Sequence, residues 1–241
     1  MSATTHKVSI VLVGEFNPDD FLPNNLLEGK VIAKKTAESV TITAMMPSQT
    51  VQFKLNWAEL LVVPNRLQVT SLEAPHIRIC DLVLKALQEL APKSNVSQFG
   101  INVDLTHDFG TFEKRNDFGR KISPPEVWGS WGQMLLASMT GEECGTSMQG
   151  GLMGLHMRKP FMEKDGVTGW RDVIVVPSAD IKTGVSIRSN HHHQLTNIDP
   201  DAEKSEQLSE DKVTSLLLTA LSNGFEKSIA DSISIFEEVL A

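Results

Sequence analysis

Two cysteines in 241 residues, Cys80 and Cys144, are too few for a disulfide framework. Cys80 falls in an apolar pattern of helical period and is expected to be a buried small hydrophobe. Cys144 follows Glu142 and Glu143, which raise a thiol pKa rather than depress it, so a nucleophilic thiol is not expected there. Long apolar runs are missing as well. No stretch approaches the roughly 20 residues needed to span a bilayer. The start, "MSATTHKVSIVLVGEF", lacks the charged beginning, long core and cleavage site of a signal peptide. A soluble, cytoplasmic protein with no membrane partner is the expectation. Positive charge is scarce too. Twenty-two Lys and Arg stand against 30 Asp and Glu, a formal charge of −8. Such a surface repels phosphate backbones, which argues against a nucleic-acid partner. The best basic cluster, Lys114, Arg115, Arg120 and Lys121, is interrupted by Glu113 and Asp117.

Phosphate-cradling motifs are absent. No G-x-x-x-x-G-K-[ST] occurs, and no G-x-G-x-x-G follows a strand and opens a helix. Asp117-Phe118-Gly119 matches a kinase tripeptide, but no H-R-D segment or glycine-rich loop accompanies it.

What is present is ordinary globular composition, 41% hydrophobic and 22% charged. "KVSIVLVGEF" (7–16) reads as a buried strand, and Pro18 and Pro23 forbid a long helix after it. "SVTITAMM" (39–46), "TVQFKLNW" (50–57) and "RLQVTSL" (66–72) alternate as strands and lie close enough for an antiparallel meander. Residues 76–92 change to a period of three and four, an amphipathic helix, and 96–109 return to alternation. The polar segment 110–124 is the best internal boundary. Residues 126–141 read as a helix weakened by Gly129 and Gly132. Strands are expected at 146–157, 169–177 and 184–195, then an acidic loop at 199–211. Over 210–240, Val213, Leu217, Leu221, Phe225, Ile229, Ile233, Phe236 and Leu240 mark a long helix, with a break expected near Gly224.

This order gives an α+β protein. Two closely packed modules, 1–110 and 125–241, or one continuous domain, would each hold antiparallel or mixed sheet covered by helices. "FGINVDL" and "VSIRSNHH" are the candidates for equivalent strands of two related halves.

The chain resembles a set of uncharacterised bacterial proteins. The resemblance lies in the F-N-P-x-x-F-x-P segment Phe16 to Pro23, the strand Gly100-Ile101-Asn102 and the segment Asn190-His191. It implies the overall layout and a bacterial or phage origin, with a multiprotein system such as phage defence as context. It assigns no catalytic residue.

Three consecutive histidines, His191, His192 and His193, end the last strand. Alternation would send His191 and His193 to one face, with Val185, Ile187 and Ser189, and His192 to the other with Asn190 and Arg188. A His-x-His pair on a strand can present two imidazoles to one Zn²⁺, with His107, His156 or Asp104 as the third ligand. Otherwise the strand has reached the surface by His191 and the imidazoles are solvated. Asp104, with Asn102 and Thr106 on one polar strand face and His107 just beyond, could do acid–base work if a cleft lay there.

With no catalytic constellation in the chain, the leading expectation is a non-enzymatic binding or assembly protein with no cofactor. It would act through a protein partner or self-association, as a subunit or regulator, and the long terminal helix is the expected interface. The alternative is a metal-dependent hydrolase using His191 and His193.

Overall fold

Strict alternation builds the centre of the molecule. In β1 (Ala3–Glu15) Val8, Ile10 and Leu12 are buried on one face, while Lys7, Ser9 and Val11 point to the other. A 3-10 turn (Pro18–Phe21), α1 (Pro23–Glu28) and α2 (Lys34–Ala37) follow. Asn17 caps the turn by accepting from the Asp19 amide, and Phe16 and Phe21 pack edge to face 6.4 Å apart. The F-N-P segment is thus a plug on the core.

A meander comes next: β2 (Thr41–Met46), β3 (Thr50–Lys54), β4 (Ala58–Val63) and β5 (Arg66–Ser71). After α3 (Ile77–Leu90) the chain enters β6 (Asn95–Asp108), the longest strand. Then come α4 (Phe112–Ile122), a second 3-10 turn (Pro125–Trp128), α5 (Gly129–Ser138), β7 (Leu155–Met162), β8 (Val167–Pro177), β9 (Gly184–Leu195) and α6 (Glu210–Leu240). The computed structural model describes residues 3–138, 152–162, 167–195 and 209–241. Cys144, much of the acidic stretch 199–211 and the start of the strand expected at 146–157 lie outside them. No helix among the described residues is long and apolar enough to cross a membrane.

The protein is α+β. The nine strands of the described residues form one antiparallel sheet, ordered β2-β3-β4-β5-β1-β6-β9-β8-β7. The chain traces one path twice: a long strand, a helical segment, a meander, then a helix. β1 leads to β2–β5 and α3; β6 leads to β7–β9 and α6. Because β1 and β6 pair antiparallel, Ser9 opposite Asn102, the two passes meet across an approximate two-fold. "FGINVDL" and "VSIRSNHH" are therefore not equivalent strands. They are the hydrogen-bonded neighbours β6 and β9, and topology makes β1 the counterpart of β6 and β5 that of β9.

One apolar cluster underlies the sheet. Phe53, Leu60, Val69, Ile10, Ile101 and Ile187 line the covered face, under α3 (Ile79, Val83, Leu87) and α6 (Leu217, Leu221, Phe225, Phe236). α6 does not break at Gly224. Its 31 residues make about 46 Å of helix, and the 14 residues of β6 extend about as far. The two run side by side: Thr214 Oγ1 accepts from the Val96 amide at 2.9 Å near one end, and Ser232 bonds Ser189, opposite Val103, at 3.0 Å further on. The helix that looks too long in sequence matches the strand it covers.

Phe225→Ala should cost about 3–5 kcal/mol, the usual range for emptying a fully buried aromatic site. Urea denaturation measures it; an unshifted midpoint contradicts this packing.

Candidate functional site

In β9, Val185, Ile187, Ser189 and His193 are buried against the covered face and His191 lies beside them, while Arg188, Asn190 and His192 occupy the open face. The strand does not surface at His191. It continues to Leu195, flanked by β6 and β8. His193 is 1% exposed. Its ring stacks on Phe99 at 4.3 Å, nearly parallel, and meets the edge of Phe161 at 5.0 Å. Gly169, opposite both His193 and Phe161 on β8, leaves the room: a Cβ there would lie 1.8 Å from the His192 carbonyl oxygen and 2.9 Å from the Phe161 ring.

His191 is tied to α6. Its Nδ1 shares a 2.7 Å hydrogen bond with Ser228 Oγ. Arg171 donates from Nη2 to Asp231 Oδ2 at 2.9 Å and lies 3.3 Å from His191 Nε2. Ser232 Oγ donates to the Ser228 carbonyl at 2.8 Å and pairs with Ser189 Oγ at 3.0 Å. These groups form a polar seam inside the helix–sheet interface. A serine bonded to an imidazole with an acid nearby resembles the parts of a nucleophilic triad, but the roles do not fit. Asp231 binds Arg171, and Ser228 is 2% exposed.

Burial sets the ionisation of this seam. It pushes His193 down to about 3, helped by His191, His192 and Arg171. His191 falls to about 4 through burial and Arg171, with Asp231 opposing. The Cys80 thiol is driven up to about 12 by the same loss of solvent, as expected of a core cysteine.

The suggested third metal ligands do not converge on the pair. His107 lies opposite Val185, six residues along the strand, and packs on Phe109 at 4.6 Å. Asp104 projects from the open face, away from His107, so the two do not make an acid–base pair. His156 is also on the open face, against Asp172. Among the described residues, no group of three His, Cys, Asp or Glu could hold a metal ion.

The open face holds a constellation that sequence reasoning misses. Asp172 on β8 is 6% exposed and accepts two bonds from Arg158, at 2.6 and 2.8 Å. It also accepts from Trp170 Nε1 and lies 3.1 Å from His156 Nε2. Arg158 and His156 hold its carboxyl below the usual range against the opposing effect of burial. His192 stacks on Trp170 at 4.0 Å, and the Arg158 guanidinium lies 4.6 Å from the same ring. The signal was the alternation His156-x-Arg158 and Trp170-x-Asp172, legible only once Arg158 is known to sit opposite Asp172. Nearby, Asn102 and Asn190 face each other in register, and the Asn190 side chain leans over Gly100, where a Cβ would come within 3.0 Å of its oxygen. The G-I-N and N-H segments are two halves of one interlock.

Exposed apolar surface lies elsewhere. Val127, Trp128, Trp131 and Met134, on the second 3-10 turn and α5, are 55–76% exposed. The two indoles sit 6.3 Å apart, and Trp128 Nε1 donates to Ser123 Oγ. Gly129, at φ +62°, makes the bend between turn and helix that the sequence read as a weak point. The large apolar side chains of α6 are buried, as at Leu217, Leu221, Phe225 and Phe236, or partly buried, as at Leu216, Ile233 and Ile235. Two open grooves, of about 730 and 540 Å³, meet at Pro92–Ser94, and no histidine lines either.

Two outcomes follow. The native state holds His193 neutral where the unfolded chain binds a proton, so stability rises with pH from about 4 to 6.5. Going from pH 7 to 5 should cost about 2 kcal/mol through His193 alone, with His191 acting in the same direction. His193→Phe should flatten that slope by about one proton in denaturation curves; an unchanged slope contradicts the buried neutral ring. Asp172→Asn should cost about 1–3 kcal/mol by weakening a charge-assisted cluster. Asp117→Asn, which breaks only the exposed pair with Arg120, should stay within about 0.5 kcal/mol. Equal effects on melting would contradict the anchoring role of Asp172. No family model matches the chain, and no curated protein matches it.

Proposed function

We propose that this chain is a non-enzymatic binding or assembly protein, a subunit or regulator that engages a protein partner through the segment Pro125–Met134. One observation carries the reading: Val127, Trp128, Trp131 and Met134 are large, apolar and exposed on one short helical segment. Solitary exposed apolar residues are ordinary, whereas adjoining ones mark interaction sites. Tryptophan is also the residue type most enriched among side chains that dominate binding energy. Trp131 and Met134, three apart, share a face of α5, and Val127 and Trp128 adjoin them across the Gly129 bend, the Trp128 indole 6.3 Å from that of Trp131. The settings of the ionisable clusters support the same reading. The Arg171–His191–Asp231 seam packs against α6, and Asp172 is engaged by Arg158, His156 and Trp170.

Trp128→Ala with Trp131→Ala is the test. The wild-type chain, used as bait in extract of its source organism, should retain a partner in stoichiometric amount. The double variant should bind that partner at least tenfold more weakly while melting within about 1 kcal/mol of wild type. A wild-type chain that retains nothing, or a variant that binds equally well, contradicts the proposal.

A further inference from the structure

The two outer strands of the sheet, among the described residues, are built in opposite ways. β7 is defended. Pro160 removes a backbone donor and Lys159 places positive charge on the strand, which also exposes Met157 and Met162. β2 is not defended. Thr41–Met46 contains no charge, proline or glycine, and no charged residue occurs anywhere from 39 to 53. Ile42, Met45 and Met46 are each more than half exposed. We propose that β2 pairs antiparallel with β2 of a second copy of this chain, so that two molecules share one continuous sheet.

The side chains fit a two-fold axis perpendicular to the sheet. Ile42 lies opposite Phe53 and Met45 opposite Val51, so both continue the covered, apolar face beyond the buried layer. The bulge between Ile42 and Ala44 puts Ile42 and Met45 on that face although they are three residues apart. The axis keeps this face on the same side in both copies. Ile42 and Met45 of each chain then become neighbours, and the apolar layer runs on across the junction. The edge is also held in place beforehand. Asp19 accepts from the Ser48 amide at 2.9 Å and its hydroxyl at 2.7 Å, clamping the β2–β3 hairpin at a turn residue with φ +55°.

Charge permits a second copy at this place. Each chain carries −8, so two copies repel wherever charged surfaces meet, whereas residues 39–53 carry no charge, Asp19 and Lys54 lying only at the two ends of the hairpin. The defended β7 edge stops the pairing from propagating. The assembly closes at two chains instead of growing into a fibre. Six residues of edge make a small contact, so the dimer is weak, with a dissociation constant of order 10–100 μM. None of this depends on the partner surface at Pro125–Met134.

Sedimentation velocity from about 1 to 300 μM brackets that range. Wild-type protein should pass from monomer to dimer and no further. Ile42→Lys with Met45→Lys, and separately Thr43→Lys, should raise the dissociation constant at least tenfold, moving the monomer–dimer transition to correspondingly higher concentration. Trp128→Ala with Trp131→Ala should dimerise like wild type. If the double lysine variant fails to fold, as its melt would reveal, Thr43→Lys alone decides. A wild-type monomer at the highest concentration, species that grow beyond two chains, or a folded lysine variant that dimerises normally overturns the proposal.

Discussion

The packing of α6 along β6 and β9 is the contact on which the character of both sheet faces depends. It buries Leu217, Leu221, Phe225 and Phe236 against Ile101, Val103 and Ile187, and it places Ser228, Asp231 and Ser232 over the polar half of β9. The energy comes from apolar area removed from water. The polar seam contributes alignment instead, since net gains from buried hydrogen bonds are small while an unmade one costs more. Ser228 and Ser232 bond specific partners on the sheet, and this fixes how far along β9 the helix sits.

This contact also sets the environment of the histidines. An imidazole useful as a base near neutrality needs solvent or substrate access and a pKa near the working pH. His193 has the opposite setting, between two phenylalanine rings and under a helix. On the open face, Asp172 is engaged by three neighbours. Among the described residues, exposed large apolar side chains lie on the short helices after β6 and at the sheet edges.

Much of this architecture was legible in sequence because period and punctuation agreed. β1, β2, β5, α3, β6, β9 and α6 appear where alternation or a period near 3.6 places them. β4 was not legible: the chain reverses at Leu55–Trp57 with neither glycine nor proline, Leu55 donating to the Ala58 carbonyl, so Trp57 read as the end of one strand. α4 was hidden in a polar stretch taken for a boundary, although Thr111 caps it by accepting from Lys114. β7 was expected to stop at 157, yet it continues through Pro160, which an outer strand tolerates. The facing of His191, His192 and His193 followed from strand geometry. Their burial did not, because it depends on Phe99, Phe161 and α6, contacts set by tertiary packing. The Asp172 cluster was illegible for the same reason, since it needs the register of β7 on β8.

If α6, β6 and β9 form one structure with β1, their backbone amides must open together. Native-state hydrogen exchange of Ile10, Ile101, Ile187 and Phe225 measures this directly. The account predicts one common opening free energy, equal to that of global unfolding. A lower value confined to α6 and β7–β9, with β1–β5 still protected, would contradict it.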